Sequence, residues 1–283
     1  MTGADEPTRS PLYHAQHAPR YERQALIRAY QDKYHCRLIV MMDNVLPYSV
    51  TWFEELIYDA NPKEDLHLLL YSQGGDGETA VRILRAAQSR CKKFTVIVPD
   101  QAKSAATLIA LGAHEILMGP ASDLGPIDPQ MQLKTDGPLV AAKDLIAAVE
   151  DAAIAVQNAP ATYPIYASLL SDVTAIIMQQ AKAALARTGD LLKESLESNP
   201  DRNLQQVADL QGKLRQPLIE VSKSHRAIFG AKEAVAAGLP VRSITPSDEQ
   251  WHAIWRLWTK YLVLNMRVYE NPLASQTFPW PSQ

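Results

Sequence analysis

The sequence is short of cysteine, of basic clusters and of long apolar runs, and each shortage removes a class of protein. Two cysteines, Cys36 and Cys91, stand among 283 residues, too few for a disulfide framework or a cysteine-based zinc site. Twenty-eight basic against 31 acidic residues give a formal net charge of −3. With no basic run present, no nucleic-acid partner is expected. No apolar stretch reaches the roughly 18 residues that a membrane helix needs, and the opening MTGADEPTRS has no apolar leader region. The expectation is a soluble, cytoplasmic protein with no direct membrane insertion. His35, His67 and His252 have no second ligand at metal-binding spacing, so no metal site is assigned and no cofactor is expected.

What is present is a 47% hydrophobic chain, long enough for one large domain or two small ones. Residues 1–19 carry three prolines without periodicity and read as a flexible arm. RYERQALIRAYQDKY (20–34) has helical spacing. Short apolar runs then alternate with helical patterns. RLIVMM (37–42), DLHLLLYS (65–72), FTVIVP (94–99) and HEILMG (114–119) read as strands, and 48–60, 77–90 and 104–113 as helices. Runs that are continuously apolar, rather than alternating, indicate strands buried on both faces. Strand–helix–strand alternation implies right-handed βαβ crossovers and a mostly parallel sheet over about 37–130. The fold class is therefore α/β.

After Lys143 the chain turns alanine-rich, with helical patterns at 143–158 and 161–187 and a break expected at Thr188-Gly189-Asp190. A polar helical stretch follows to about Arg215, and 231–241 reads as a helix with Gly238 suited to a left-handed C-terminal position. Trp251, Trp255 and Trp258 are spaced to share one helix face, which favours core packing or a subunit contact. The final residues, from Asn271, are proline-rich and expected to be irregular. The expected organisation is an arm at 1–19, a domain at 20–245, and a C-terminal helix and tail at 246–283.

Two turns at strand ends hold the chemistry. Ser72-Gln73-Gly74-Gly75-Asp76-Gly77 ends one strand and opens a helix, but lacks the spacing of a phosphate-binding loop. Its paired glycines allow backbone N–H groups to approach an incoming group closely. The second turn, Val98 to Ser104, leads into a small-residue helix, and Ser104 stands at that helix's start. Two roles compete there. Its hydroxyl can cap the helix, or it can act as a nucleophile beside N–H groups and the helix dipole.

The whole string decides between them. LHLLLYSQGGDGETAVRIL followed by FTVIVPDQAKSAATLIALGAHEILMGPASDLGPIDPQ resembles the serine dehydrogenase proteinase family. That family belongs to the Clp-fold serine peptidases, related to signal peptide peptidase A and the Clp protease. The likeness is dense over 65–131, fainter over 20–64, and returns from Ser224-His225-Arg226 to Leu239. It implies a Clp/crotonase-type core of mostly parallel strands followed by a helical C-terminal part. It also implies a serine endopeptidase working through an acyl-enzyme. By the resemblance Ser104 is the nucleophile, and Gly75, Gly74 before it and the Ala105 amide form the oxyanion hole. His225 is the general base and Asp128 its orienting carboxylate, with Lys143 as the alternative base. Triads are defined by geometry and role rather than chain order. Gln73 stands where the family favours proline and Ala106 where it favours glycine, so an altered substrate shape is expected. The Clp protease's base position falls on Pro129.

Two other functions remain open at this stage. A crotonase-like enzyme acting on an acyl-thioester would use the same turns with a carboxylate base, for which Asp76 and Glu78 are available. A catalytically inactive Clp-fold scaffold would use the alanine-rich helices and the tryptophan face for assembly. The expected partners are a polypeptide substrate and further copies of the chain in a homo-oligomer.

Overall fold

The computed structural model describes residues 10–133, 137–220 and 227–281. In chain order it runs α1 (Pro11–Tyr34), β1 (Cys36–Met42), α2 (Ser49–Leu56), β2 (Asp65–Tyr71), α3 (Gly77–Ser89), β3 (Phe94–Val98) and β4 (Gln101–Ala102). Next come α4 (Ala105–Leu111), β5 (Glu115–Met118), β6 (Asp123–Leu124), β7 (Gln130–Gln132), β8 (Leu139–Ala141) and α5 (Ala142–Asn158). The chain continues through α6 (Tyr163–Leu169), α7 (Ala175–Glu197), α8 (Leu204–Arg215), β9 (Phe229–Gly230) and α9 (Ala231–Ala236). It ends with β10 (Val241–Ser243), α10 (Glu249–Leu264), β11 (Arg267–Glu270) and β12 (Ser275–Phe278).

Among the described residues the main sheet has the order β10-β5-β3-β2-β1-β11-β12. The strands from β10 to β1 are parallel, and β11 and β12 add on antiparallel. Successive strand side chains point to opposite faces, so a strand covered on both sides must be apolar throughout. In β1, Ile39 and Met41 enter one core, while Leu38, Val40 and Met42 enter the other. The first core is closed by α2, α3, α4, α7 and α8, and the second by α1 and α10. The mostly parallel α/β expectation holds.

Several local expectations are corrected. Residues 11–19 are not an arm, because α1 begins at Pro11. Ser10 caps it by accepting the Tyr13 N–H at 3.1 Å, and proline suits the first helical position. Residues 1–9 lie outside the described residues. The break expected at 188–190 is helical. Gly189 sits in α7 with open space around it, while Leu191, Leu192 and Leu196 anchor the next turns in the core. The tail expected to be irregular contains β12. β11, which the sequence pattern did not reveal, pairs Val40 with Glu270 along the edge of β1. Trp251 and Trp258 are buried by α10, whereas Trp255 is 46% exposed. Gly238 does take a left-handed conformation after α9, at φ +92°.

Candidate active site

β2 ends at Tyr71, and the following residues are tied down before the helix starts. Ser72 bonds by its N–H to the Gln101 carbonyl at 3.1 Å and by its carbonyl to the Lys103 N–H at 3.0 Å. These bonds clamp the glycine turn against the β4–α4 turn. Gly74 (φ +110°) and Gly75 (φ +139°) both occupy the region that favours glycine. A Cβ on Gly74 would lie 2.6 Å from Ser104 Cβ, and one on Gly75 would lie 2.1 Å from the Val45 carbonyl oxygen. The chain leaving β1 makes that second contact. Val45 bonds by its N–H to the Gly74 carbonyl (2.8 Å), and its carbonyl accepts the Asp76 N–H (2.7 Å).

Ser104 itself is strained, with φ +49° and ψ −118°. For a residue with a Cβ, such a conformation costs on the order of 1–3 kcal/mol and persists only where the surroundings impose it. Here they do. Lys103, just before it, is nearly buried and ion-paired with Asp123, and so turns away from the serine. Just after it, Ala105, Ala106 and Thr107 are buried in α4. The Ser104 hydroxyl makes no capping hydrogen bond. The amides of Ala106 and Thr107 return to the carbonyls of Lys103 and Ser104. Among the described residues, the Ala105 and Gly75 amides meet no acceptor.

Asp128 arrives from the other side. Thr107 Oγ1 lies 2.9 Å from the Gly125 carbonyl and accepts the Gly125 N–H at 3.1 Å, and Ile127 N–H bonds to the Leu218 carbonyl. These contacts hold the 125–130 segment against α4. The Asp128 carboxylate is buried and accepts from Gln130 Nε2 at 2.9 Å. Lys143, in the first turn of α5, reaches Asp128 Oδ2 at 3.9 Å with its side chain 12% exposed. A cation at a helix start opposes the helix dipole, and the carboxylate opposite offsets it. Ala142 N–H on the Pro129 carbonyl fixes this juxtaposition.

A cleft of about 500 Å³ gathers Gly74, Gly75, Ser104, Ala105 and Asp128, with Asn44, Gln73 and Leu139 on its rim. The serine, its proposed oxyanion turn and Asp128 thus share one cavity, and Lys143 contacts it through Asp128. His225 lies outside the described residues. Asp76 and Glu78, the carboxylates available to crotonase chemistry, also line this cleft, but both are held by other groups. Asp76 caps α3 by accepting the Thr79 N–H at 2.7 Å, and Glu78 takes a two-pronged contact from Arg187 that holds its carboxyl below the usual range. Asn44 escaped notice in the sequence, where nothing local marks it. It enters the cleft because β1 stops two residues earlier. Among the described residues no cluster of histidine, cysteine, aspartate or glutamate could hold a metal ion. No helix among them is long and apolar enough to cross a membrane.

Residues 56–208, just over half of the chain, match the model of the ClpP-like SDH-type serine proteinases. That span includes Gly74, Gly75, Ser104, Asp128 and Lys143 and ends before His225. The uncharacterized protein MJ0137 of Methanocaldococcus jannaschii is 40% identical over 73 residues, 25% of this chain and 26% of that protein. A second uncharacterized protein of the same organism, MJ1495, is 38% identical over 66 residues, 23% of each chain. The chain thus spans about a quarter of the length of the curated relatives it matches. Among solved structures, a mutant of the 1510-N membrane-bound stomatin-specific protease in complex with a substrate peptide is 16% identical. It covers 86% of this chain and 87% of its own, with a TM-score of 0.45.

Proposed function

Because the chain belongs to the ClpP-like SDH-type serine proteinase family, we propose that it hydrolyses peptide bonds with Ser104 as the nucleophile. The observation that carries this is the strained, uncapped serine facing the Gly74–Gly75 turn across a cleft. Ser104 Oγ attacks the scissile carbonyl carbon as its proton passes to a base. The carbonyl oxygen becomes an oxyanion, met by the Gly75 and Ala105 amides, with Gly74 giving the turn its shape. Each such donor contributes about 3–4 kcal/mol to the transition state. Collapse breaks the C–N bond, and the protonated base returns its proton to the leaving amine. Water then attacks the acyl-enzyme, giving its proton to the base, and Ser104 is released.

The base is Lys143, with Asp128 holding its amine toward the cleft. The 3.9 Å contact between them, with Asp128 buried and Lys143 mostly covered, supports this choice. A lysine takes a proton only as the free amine. His225, which lies outside the described residues, is the alternative base. The substrate is a polypeptide, and the enzyme works as a homo-oligomer. The scaffold alternative predicts an intact fold with no turnover. Hydrolysis of unfolded casein, followed by release of new amino termini, separates the two. Turnover by the parent that vanishes in Ser104→Ala supports the peptidase. Equal turnover in both proteins, or none in either, overturns it.

A further inference from the structure

A second groove, of about 980 Å³, lies beside the Ser104 cleft. Asn44 and Gln73 line both cavities, so one continues into the other. The groove is walled by aromatic rings from distant parts of the chain. Tyr71 stands 5.1 Å from Trp258, tilted by 41°, and 6.5 Å from Trp280, edge-on at 87°. Gln73 and Gln101 both donate to the Tyr71 hydroxyl, at 3.1 and 3.4 Å, fixing the ring in the groove wall. At the junction, Asn44 Oδ1 is shielded from solvent with no hydrogen-bond partner. A turn of the Asn44 amide toward the cleft would bring it to an incoming main-chain N–H, and a buried acceptor left without a partner is costly.

We infer that this groove is a subsite for an aromatic side chain of the polypeptide substrate, whose main chain bonds Asn44 as it passes on to Ser104. The inference rests on the proposed peptidase function and adds a substrate class to it. Rings in tilted and edge-on arrangements take a further ring by the same geometry, and the volume admits one together with its neighbours. Asp100, on the groove's border, is the one carboxylate among the described lining residues that could instead draw a cation. Burial, reinforced by Asp123, pushes its carboxyl up. Asn44, Trp258 and Trp280 all fall outside the 56–208 span that carries the family likeness. The groove thus joins Tyr71 and Gln73, inside that span, to walls from this chain's flanking segments.

Calorimetric titration of the Ser104→Ala protein with short blocked peptides, one phenylalanine walked along a serine–alanine background, tests this. At one position phenylalanine binds at least about ten-fold more tightly than alanine. Adding Trp280→Ala abolishes that preference, and Trp280→Phe restores most of it, with thermal unfolding unchanged in both. Three results overturn the inference. These are no position at which phenylalanine exceeds alanine beyond the scatter of the titration, a preference that survives Trp280→Ala, or lysine preferred at that position. The readout is binding to a protein without its nucleophile, so its failure is distinct from a failure of Ser104 to react.

Discussion

Substituting Gly75 by alanine puts the glycine turn under direct test. The new Cβ would sit 2.1 Å from the Val45 carbonyl oxygen and 2.9 Å from its carbon. That obstacle is backbone, not the end of a flexible side chain, so the Val45 strand or the turn must move. Holding alanine at φ +139° costs about 1–3 kcal/mol. The two hydrogen bonds that Val45 makes with Gly74 and Asp76 contribute about 0.5–1.5 kcal/mol each. The expected loss is therefore about 2–6 kcal/mol, which lowers the midpoint of unfolding by roughly 5–20 °C for a chain of this size. Thermal unfolding by circular dichroism reads the stability. The rate of peptide hydrolysis reads the turn, and falls by at least about 100-fold if one oxyanion donor is displaced. Gly189→Ala is the control. Nothing lies within 4 Å of that position inside α7, so alanine there stabilises by about 0.5–1 kcal/mol through helix propensity. A Gly75→Ala protein with parental melting and parental turnover would refute the packing argument and the role of the turn together.

Further tests follow from other groups. Lys143→Ala and Lys143→Arg each lower peptide hydrolysis by about 10²–10⁴-fold, because arginine does not give up its proton, while His225→Ala retains parental rates. The reverse pattern in steady-state kinetics moves the base to His225. Burial lowers His67 from 6.5 to about 4, so between those values the unfolded chain binds the proton more readily. The His67 contribution is fully present above about pH 6.5 and falls by up to about 3 kcal/mol as pH drops toward 4. Urea unfolding at pH 7 and pH 4.5 reads this, and a His67→Gln protein with the same pH slope as the parent would contradict it. Arg23 bonds both oxygens of Glu270, which also accepts from Tyr261, all three being buried. Glu270→Gln removes one charge of the pair and destabilises by about 3–5 kcal/mol, against an unchanged urea midpoint if the pair is inert.

The parts of the fold legible in the sequence are those set by local pattern. β1, β2, β3 and β5 are uninterrupted apolar runs because helices cover both faces of the sheet, and that signal survives without any tertiary knowledge. β11 is different. Its outer residues are Arg267 and Glu270, which look like surface residues. Arg267 bonds the Tyr48 hydroxyl and the Pro279 carbonyl, while Glu270 is satisfied by Arg23, 247 positions away along the chain. Only the folded chain supplies those partners. The start of α1 was within reach, since serine followed by proline is a helix-opening pair, but the prolines at positions 7, 11 and 19 suggested an arm. At the site, Ser104 stood out through the resemblance of the whole 65–131 string, since a serine at a helix start is as readily a cap. The pairing of Asp128 with Lys143 depends on how α5 docks, which spacing along the chain does not encode. Asn44 and the ring-lined groove depend on tail residues meeting the end of β1.

Reaction with a fluorophosphonate, followed by proteolysis and mass mapping of the adduct, asks whether Ser104 is an activated nucleophile. The parent protein is predicted to carry a single phosphonyl group on the peptide containing Ser104, with no adduct on Ser104→Ala. Folded protein that takes no label on Ser104, or a label that persists in Ser104→Ala, would contradict the assignment.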